Sequence, residues 1–232
     1  MLIQHPVSKN VSETTCGAPI RDRSNELQVI SVSLVTIAAL CVFIRFGYKL
    51  LLARTDLGLD DWLVLGTLFV ALPSPVIFAQ GATKYGLGRD TWTLTPEQVS
   101  SSLKYFYATA CIYFCAVMMS KLAFIAFYIR IFPARNIQRL LWGTFIFTAL
   151  WGIVYVLIAI FQCTPIKHFW TQWDGLHEGK CVSRNAISWS NAALNIALDV
   201  WILAIPMWQV RKLQLHWKKK IGVAFMFLIG TL

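Results

Sequence analysis

The sequence predicts an all-α, multi-pass transmembrane helix bundle, and three observations carry that prediction. Hydrophobic residues make up 57% of the 232 residues, charged residues only 14%, and the mean hydropathy is +0.59. Soluble domains usually carry about 25% charged residues. The apolar residues gather into runs of the ~20 residues that a helix needs to cross ~30 Å of hydrocarbon. The bases gather at the ends of those runs. Charge is too sparse for a disordered chain or a coiled coil, and six Cys are too dilute for a small disulfide scaffold.

The runs are taken in chain order. A segment over 1–26 is mixed in character, and the predicted transmembrane domain covers 27–232. Its spans are 27–50, 62–82, 104–130, 140–162 and 186–208, with an incomplete sixth over 221–232. The first run is no signal peptide, because 26 mixed residues precede it without a basic stretch beside it, and further spans follow. Asp60 and Asp61 stand just before the second span, where acids cap free N–H groups and complement the positive helix end. Pro73 and Pro75 are expected to kink that span, and Pro206 the inner part of the fifth.

Orientation follows from Lys and Arg near the span ends. The connections 45–61, 130–139 and 211–220 hold eleven bases and three acids. The opposite side holds nine bases and seven acids in longer segments. The first set is read as cytoplasmic, which puts the N-terminus outside, at the cell membrane. Asn10-Val11-Ser12 is then a glycosylation sequon on the outer side. Cys16, Cys163 and Cys181 fall in the same oxidising compartment, and Cys163 with Cys181 is the expected disulfide. Cys111 and Cys16 remain rival partners for Cys181. Bases at membrane boundaries do not form a nucleic-acid surface. The partners expected are the bilayer, a small-molecule ligand, and a cytoplasmic signalling partner at the basic inner loops.

No soluble catalytic signature is present: no Gly-rich phosphate loop, no His-x-x-x-His, no Gly-x-Ser-x-Gly. His168, Asp174, His177 and Glu178 share one outer loop, but a solvated loop explains them better than a metal. Polar residues inside the spans are more informative, since an ionisable group in hydrocarbon tends to face a bundle interior or cavity. Lys121 lies in the third span and Asp199 in the fifth. Asn191, Asn195 and Asp199 are spaced i, i+4, i+8 and so share one helix face. The four are candidates for a ligand cavity, weighed against a structural hydrogen-bond stripe.

These positions together resemble the fungal rhodopsin-like integral membrane family, whose members include satratoxin-cluster-type and receptor-like proteins. Arg45 followed by Asp60-Asp61 matches its first inner loop, and Tyr85-Gly86-Leu87-Gly88 with Trp92 its first outer loop. Lys121-Leu122, then Tyr128-Ile129-Arg130, matches its third span. Cys163-Thr164-Pro165, Trp170 and Cys181 match its second outer loop. Asn195, Asp199, Pro206, Leu213-Gln214 and Lys220 match its fifth span and third inner loop, and Phe227 to Gly230 the start of its sixth span. The resemblance implies a seven-helix rhodopsin-like architecture, here truncated within the sixth helix. No cofactor is implied: the retinal lysine of microbial pigments lies on a seventh helix, whereas Lys121 lies on the third.

A receptor-like sensor of a small molecule, tied to secondary metabolism, is the leading functional reading. A transporter or transport accessory using Lys121 and Asp199 is the alternative, although no internal repeat supports it. A membrane-embedded biosynthetic enzyme ranks third, for want of an acid–base or metal set. The orientation is directly testable. A cysteine probe at position 95 should be labelled by an impermeant reagent from outside, and one at position 136 should not; the reverse pattern inverts the topology.

Overall fold

The computed structural model describes residues 15–17, 22–53, 56–90, 93–175 and 177–212. Asn10, Trp92, Leu213, Gln214, Lys220 and the run 221–232 lie outside the described residues. Among the described residues, five helices are long and apolar enough to cross a membrane. Helix α1 (Ser24–Gly47) continues as a π-helical turn over Tyr48–Ala53. The second span is α2 (Leu59–Ala71), α3 (Pro73–Ile77) and a π-helical turn over Phe78–Thr83. The third and fourth are α4 (Pro96–Ile131) and α5 (Arg135–Ile160). A two-stranded hairpin of β1 (Cys163–Thr164) and β2 (Lys180–Cys181) encloses α6 (His168–Thr171). The fifth span is α7 (Arg184–Lys212).

Local chemistry sets the ends. Thr95 caps α4 reciprocally: its hydroxyl accepts from the Gln98 amide at 3.4 Å, and its own amide donates to Gln98 Oε1 at 2.9 Å. Pro96 occupies the first turn, where its missing N–H costs nothing. This box starts α4 eight residues before the expected third span, because hydropathy reads only the part of a helix that lies in hydrocarbon. The second span breaks at Leu72, immediately before Pro73, as a proline that cannot donate to the preceding turn requires. Pro206 is tolerated inside α7, where it is fully buried.

Two glycines of the loop after the second span are forced. Gly86 and Gly88 have φ of 104° and 94°, which L side chains rarely adopt. The Gly88 carbonyl accepts from the Arg23 amide at 3.0 Å, and a Cβ on Gly88 would meet the Ser24 backbone nitrogen at 3.0 Å. Asp22 and Arg89 pair beside it at 3.0 Å. The Ser24 hydroxyl and amide, and then Arg89, hold the Asp22 carboxyl below the usual carboxylate range.

Helix α4 is the axis of the bundle. On its C-terminal half, Ile125, Tyr128 and Phe132 pack with Leu141 of α5 and with Ile202 and Ile205 of α7. Toward its N-terminal half, Trp151, Tyr155 and Leu198 form a second cluster with Phe114 and Ile187. Large apolar side chains such as Leu34, Phe43, Phe69, Ile146 and Ile196 point outward, as a helix surface bathed in lipid does.

The loop between the fourth and fifth spans is tied down by the Cys163–Cys181 disulfide, which joins the paired strands. Phe169 is buried there, its ring 5.1 Å from that of Tyr107 and 5.3 Å below the Arg184 guanidinium. Trp170 lies 6.0 Å from Tyr107 and 5.8 Å from the Lys104 ammonium, and Pro165 follows Thr164 through a cis peptide bond.

Small residues let the helices approach, as is common between spans. A Cβ added at Gly152 of α5 would run into the Met118 side chain of α4. Gly152→Val should therefore destabilise the protein by about 1–3 kcal/mol through overpacking. Met118→Ala on the same background should restore part of the loss in thermal melts. Equal melting of Gly152→Val and wild type would refute the close crossing.

Candidate functional site

Two polar clusters stand inside this apolar frame. The first lies between α4 and α7, between the two core clusters. Lys121 projects from the buried face of α4, with a side chain 6% exposed. Its ammonium donates to Asp199 Oδ1 and, at 3.2 Å, to the Asn195 backbone carbonyl. The structure thus brings together Lys121, Asn195 and Asp199. Asn191 is buried one turn before Asn195 on the same helix face.

Asp199 differs from the expectation of a residue facing the interior: its side chain is 59% exposed among the described residues. The reason is register. Leu198 and Ile202 hold the centre of the packed face of α7, so Asp199 sits at its edge and Lys121 reaches outward to meet it.

Four fully enclosed polar atoms around this level have no hydrogen-bond partner: Thr148 Oγ1, Trp151 Nε1, Asn191 Oδ1 and Asn195 Oδ1. An unpaired buried group costs about 1–3 kcal/mol. The packing face of α5 also carries Thr144, whose hydroxyl accepts from Trp201 Nε1 at 3.1 Å, and Tyr155, which donates to Ser190 Oγ at 3.0 Å. Sequence reading singled out the asparagines and the ion pair but missed Thr148 and Trp151. Their only signal is a seven-residue spacing, Thr144, Thr148, Trp151 and Tyr155, along one face of an otherwise apolar span.

The second cluster sits at the end of the bundle that holds Arg45 and Arg130. Asp61 caps α2 by accepting from the Gly58 amide at 3.0 Å. Capping is only part of the role of these two acids. Asp60 and Asp61 are 2% and 1% exposed, and three bases converge on them. Arg45 Nη2 lies 2.6 Å from Asp60, and Lys49 Nζ lies 2.6 Å from Asp61. Arg130 Nη1 bridges both at 3.1 and 3.4 Å, while its Nη2 donates to the Asp56 carbonyl at 2.9 Å. The cluster therefore ties α1, α2 and α4 together. A sequence clue existed in Arg45 and Lys49, four residues apart and so on one helix face. Tyr128 lies one turn from Phe132 in the apolar layer and takes no part in the charges.

His177 pairs with Asp174 at 3.0 Å in the loop between β1 and β2. Among the described residues, no three His, Cys, Asp or Glu side chains gather as a metal set.

The ion pair yields a coupling prediction. Asp199→Leu strands a buried ammonium, so it should cost about 3–5 kcal/mol. Lys121→Met strands a carboxylate midway along a membrane span, where no bulk water screens it, and should also destabilise the protein. The double variant should recover part of the larger loss. Purely additive losses in thermal melts would show that the two are uncoupled.

Comparison with known proteins supplies the family. Residues 44–232 match the fungal rhodopsin domain. The chain is 33% identical over 112 residues to Satratoxin biosynthesis SC1 cluster protein 4 of Stachybotrys chartarum, covering 48% of this chain and 41% of that protein. It is 26% identical to a SAT4 family membrane protein of Emericella nidulans, over 64% of this chain and 39% of that protein. It is 24% identical to Polyenoic acids biosynthesis gene cluster protein Ba17b of Metarhizium anisopliae, over 89% of this chain and 56% of that protein. The chain thus spans about half the length of these curated relatives, or less. No solved structure matches it significantly. With five apolar spans and a match that runs from residue 44 to residue 232, this multi-pass membrane protein belongs to the fungal rhodopsin domain family.

Proposed function

We propose that the chain is the membrane domain of a receptor-like sensor for a small metabolite. The observation that carries the reading is the polar layer at Lys121, where an ion pair adjoins four enclosed atoms without partners. A layer kept only for stability would do better filled with apolar side chains, which often equal or exceed a buried ion pair. Here the hydrogen-bonding capacity is left open. Two neighbouring carbonyl oxygens accept, an indole N–H donates, and a hydroxyl does either. The adjacent charges compensate each other, so the matching ligand is an uncharged molecule with hydroxyl groups on an apolar body.

The printed names of three relatives place them in biosynthesis clusters for satratoxin, polyenoic acids and wortmanamides. Those names support a role beside secondary-metabolite production. The N-out orientation at the cell membrane would put a signalling partner at the inner loops around 130–139 and 211–220.

A thermal-shift screen of neutral hydroxylated apolar metabolites against their carboxylated counterparts tests the reading. At a hundred times its Kd, a ligand adds about 2.7 kcal/mol, or roughly 5–10 °C for a chain of this size. Asn191→Leu should abolish the shift while leaving the fold intact. A panel without hits would sink the sensor reading. Net uptake of a hit into proteoliposomes would reassign the protein to transport.

A further inference from the structure

Lys121 and Arg130 stand on one unbroken helix. From Glu97 to Ile131, α4 contains neither Gly nor Pro, so no residue in it favours a bend. The two bases lie about 13.5 Å apart along the axis at 1.5 Å per residue. A displacement of α4 at one is therefore a displacement at the other. Its seats on the flanking spans are smooth ones. Met119 rests on Gly66 of α2, where an added Cβ would stand 2.6 Å from the thioether methyl. Met118 rests on Gly152 of α5, and Tyr105 on Gly81 in the second span. Glycine presents no ridge, and methionine re-settles by turning about its flexible side chain. These helices touch directly, so nothing else lies between them.

The two polar anchors of α4 differ in what their loss leaves behind. Among the described residues, the enclosed Lys121 ammonium has one carboxylate, that of Asp199, and one carbonyl, that of Asn195. Arg130 instead shares its carboxylates. It stands 3.1 Å from Asp60 and 3.4 Å from Asp61, which Arg45 and Lys49 already hold at 2.6 Å. Gly58 makes the room for it, since an added Cβ there would come within 2.6 Å of Arg130 Nη1. The Gly58 carbonyl in turn accepts from the Asp61 amide at 3.0 Å, in the first turn of α2. The departure of Arg130 thus strands neither acid, and it releases the Asp56 carbonyl that its Nη2 binds. The contact of α4 that is cheapest to give up sits at the start of α2.

We propose that α4 is the transmitting element of the protein: when Lys121 loses its hold on Asp199, α4 shifts between α2 and α5, and Arg130 leaves Asp60, Asp61 and the Asp56 carbonyl. The segment 56–61 then loosens, while Arg45 and Lys49 keep the two acids compensated. This is a regulation exerted by the polar layer, and it rests on the sensor reading only for its natural trigger, a metabolite bound beside Lys121. The coupling itself is carried by α4 and is testable without a ligand.

The test is hydrogen exchange, read by mass spectrometry, on the full chain in nanodiscs. Asp199→Asn removes the charge that holds Lys121 and keeps the side-chain shape. Exchange over 56–62 should quicken at least about fivefold, the lower end of the coupling found between linked sites, while exchange over 141–160 stays as in wild type. Arg130→Gln should quicken 56–62 by a similar factor, and the double variant no further, because the contact is already open. Lys121→Gln repeats the comparison if Asp199→Asn fails to fold. If neither folds, Arg130→Gln decides by reciprocity: a coupling acts equally in both directions, so exchange over 195–199 should quicken too, and no rise there overturns the proposal. Unchanged exchange over 56–62 in Asp199→Asn, factors that multiply in the double variant, or an equal rise in every span each overturn it. Any of these leaves the sensor reading standing, whereas a ligand panel without hits leaves the coupling standing.

Discussion

Helix α1 shows what the rest of this fold rests on. Among the described residues, none of its most apolar stretch is buried against the protein, unlike the other four spans. Lipid is as apolar as the side chains it touches, so no hydrophobic force presses such a helix onto its neighbours. What fixes α1 is polar and sits at its two ends. At one end, Arg45 and Lys49 clasp the buried Asp60 and Asp61. At the other, the Arg23 amide meets the Gly88 carbonyl, and Asp22 meets Arg89. Both Gly88 and the paired acids are required by this arrangement. The glycine lets backbone meet backbone, and among the described residues the acids supply the charges that offset three converging bases.

The same logic runs down α4. Its N-terminal end is held by the Thr95 box and by Tyr107, which donates to the Ile160 carbonyl at 2.7 Å. Its middle is held by Lys121 to α7, and its far end by Arg130 to α2. Between these polar pins lie apolar layers that are tight but non-directional. Packing sets how close the helices come, as Met118 against Gly152 shows, and the polar pins set their register.

The legibility of the sequence follows this division. Spans could be read from hydropathy because a helix in hydrocarbon must be apolar over a length fixed by the bilayer. Lys121 and Asp199 could be read because a charge at that depth has few possible partners. Helix ends were less legible: the Thr95 box and the start of α7 at Arg184 lie beyond the apolar run, where hydropathy carries no signal. The cluster around Asp60 and Asp61 was hidden for another reason. Capping accounts for acids at the start of a span, so nothing in the local sequence demands three further partners from residues 45, 49 and 130. Thr148 and Trp151 were hidden because both residue types are ordinary in membrane helices. Only their enclosure without partners sets them apart.

The five-charge cluster also has an internal order. Arg45 and Lys49 approach the acids to 2.6 Å and are 32% and 19% exposed, whereas Arg130 stays beyond 3 Å and is 41% exposed. Without Arg130, two bases still face two carboxylates and no buried charge is stranded. Without either Arg45 or Lys49, the acids would depend on the longest and most solvated of the three contacts. Desolvated charge is costly only when uncompensated, so within the cluster the ion pairs from Arg45 and Lys49 are the strong ones and that from Arg130 is the weak one. The weak pair lies on the helix that carries Lys121 two and a half turns away, so among the described residues α4 is the element that joins both polar clusters, held at one by a solvated pair and at the other by a buried ammonium.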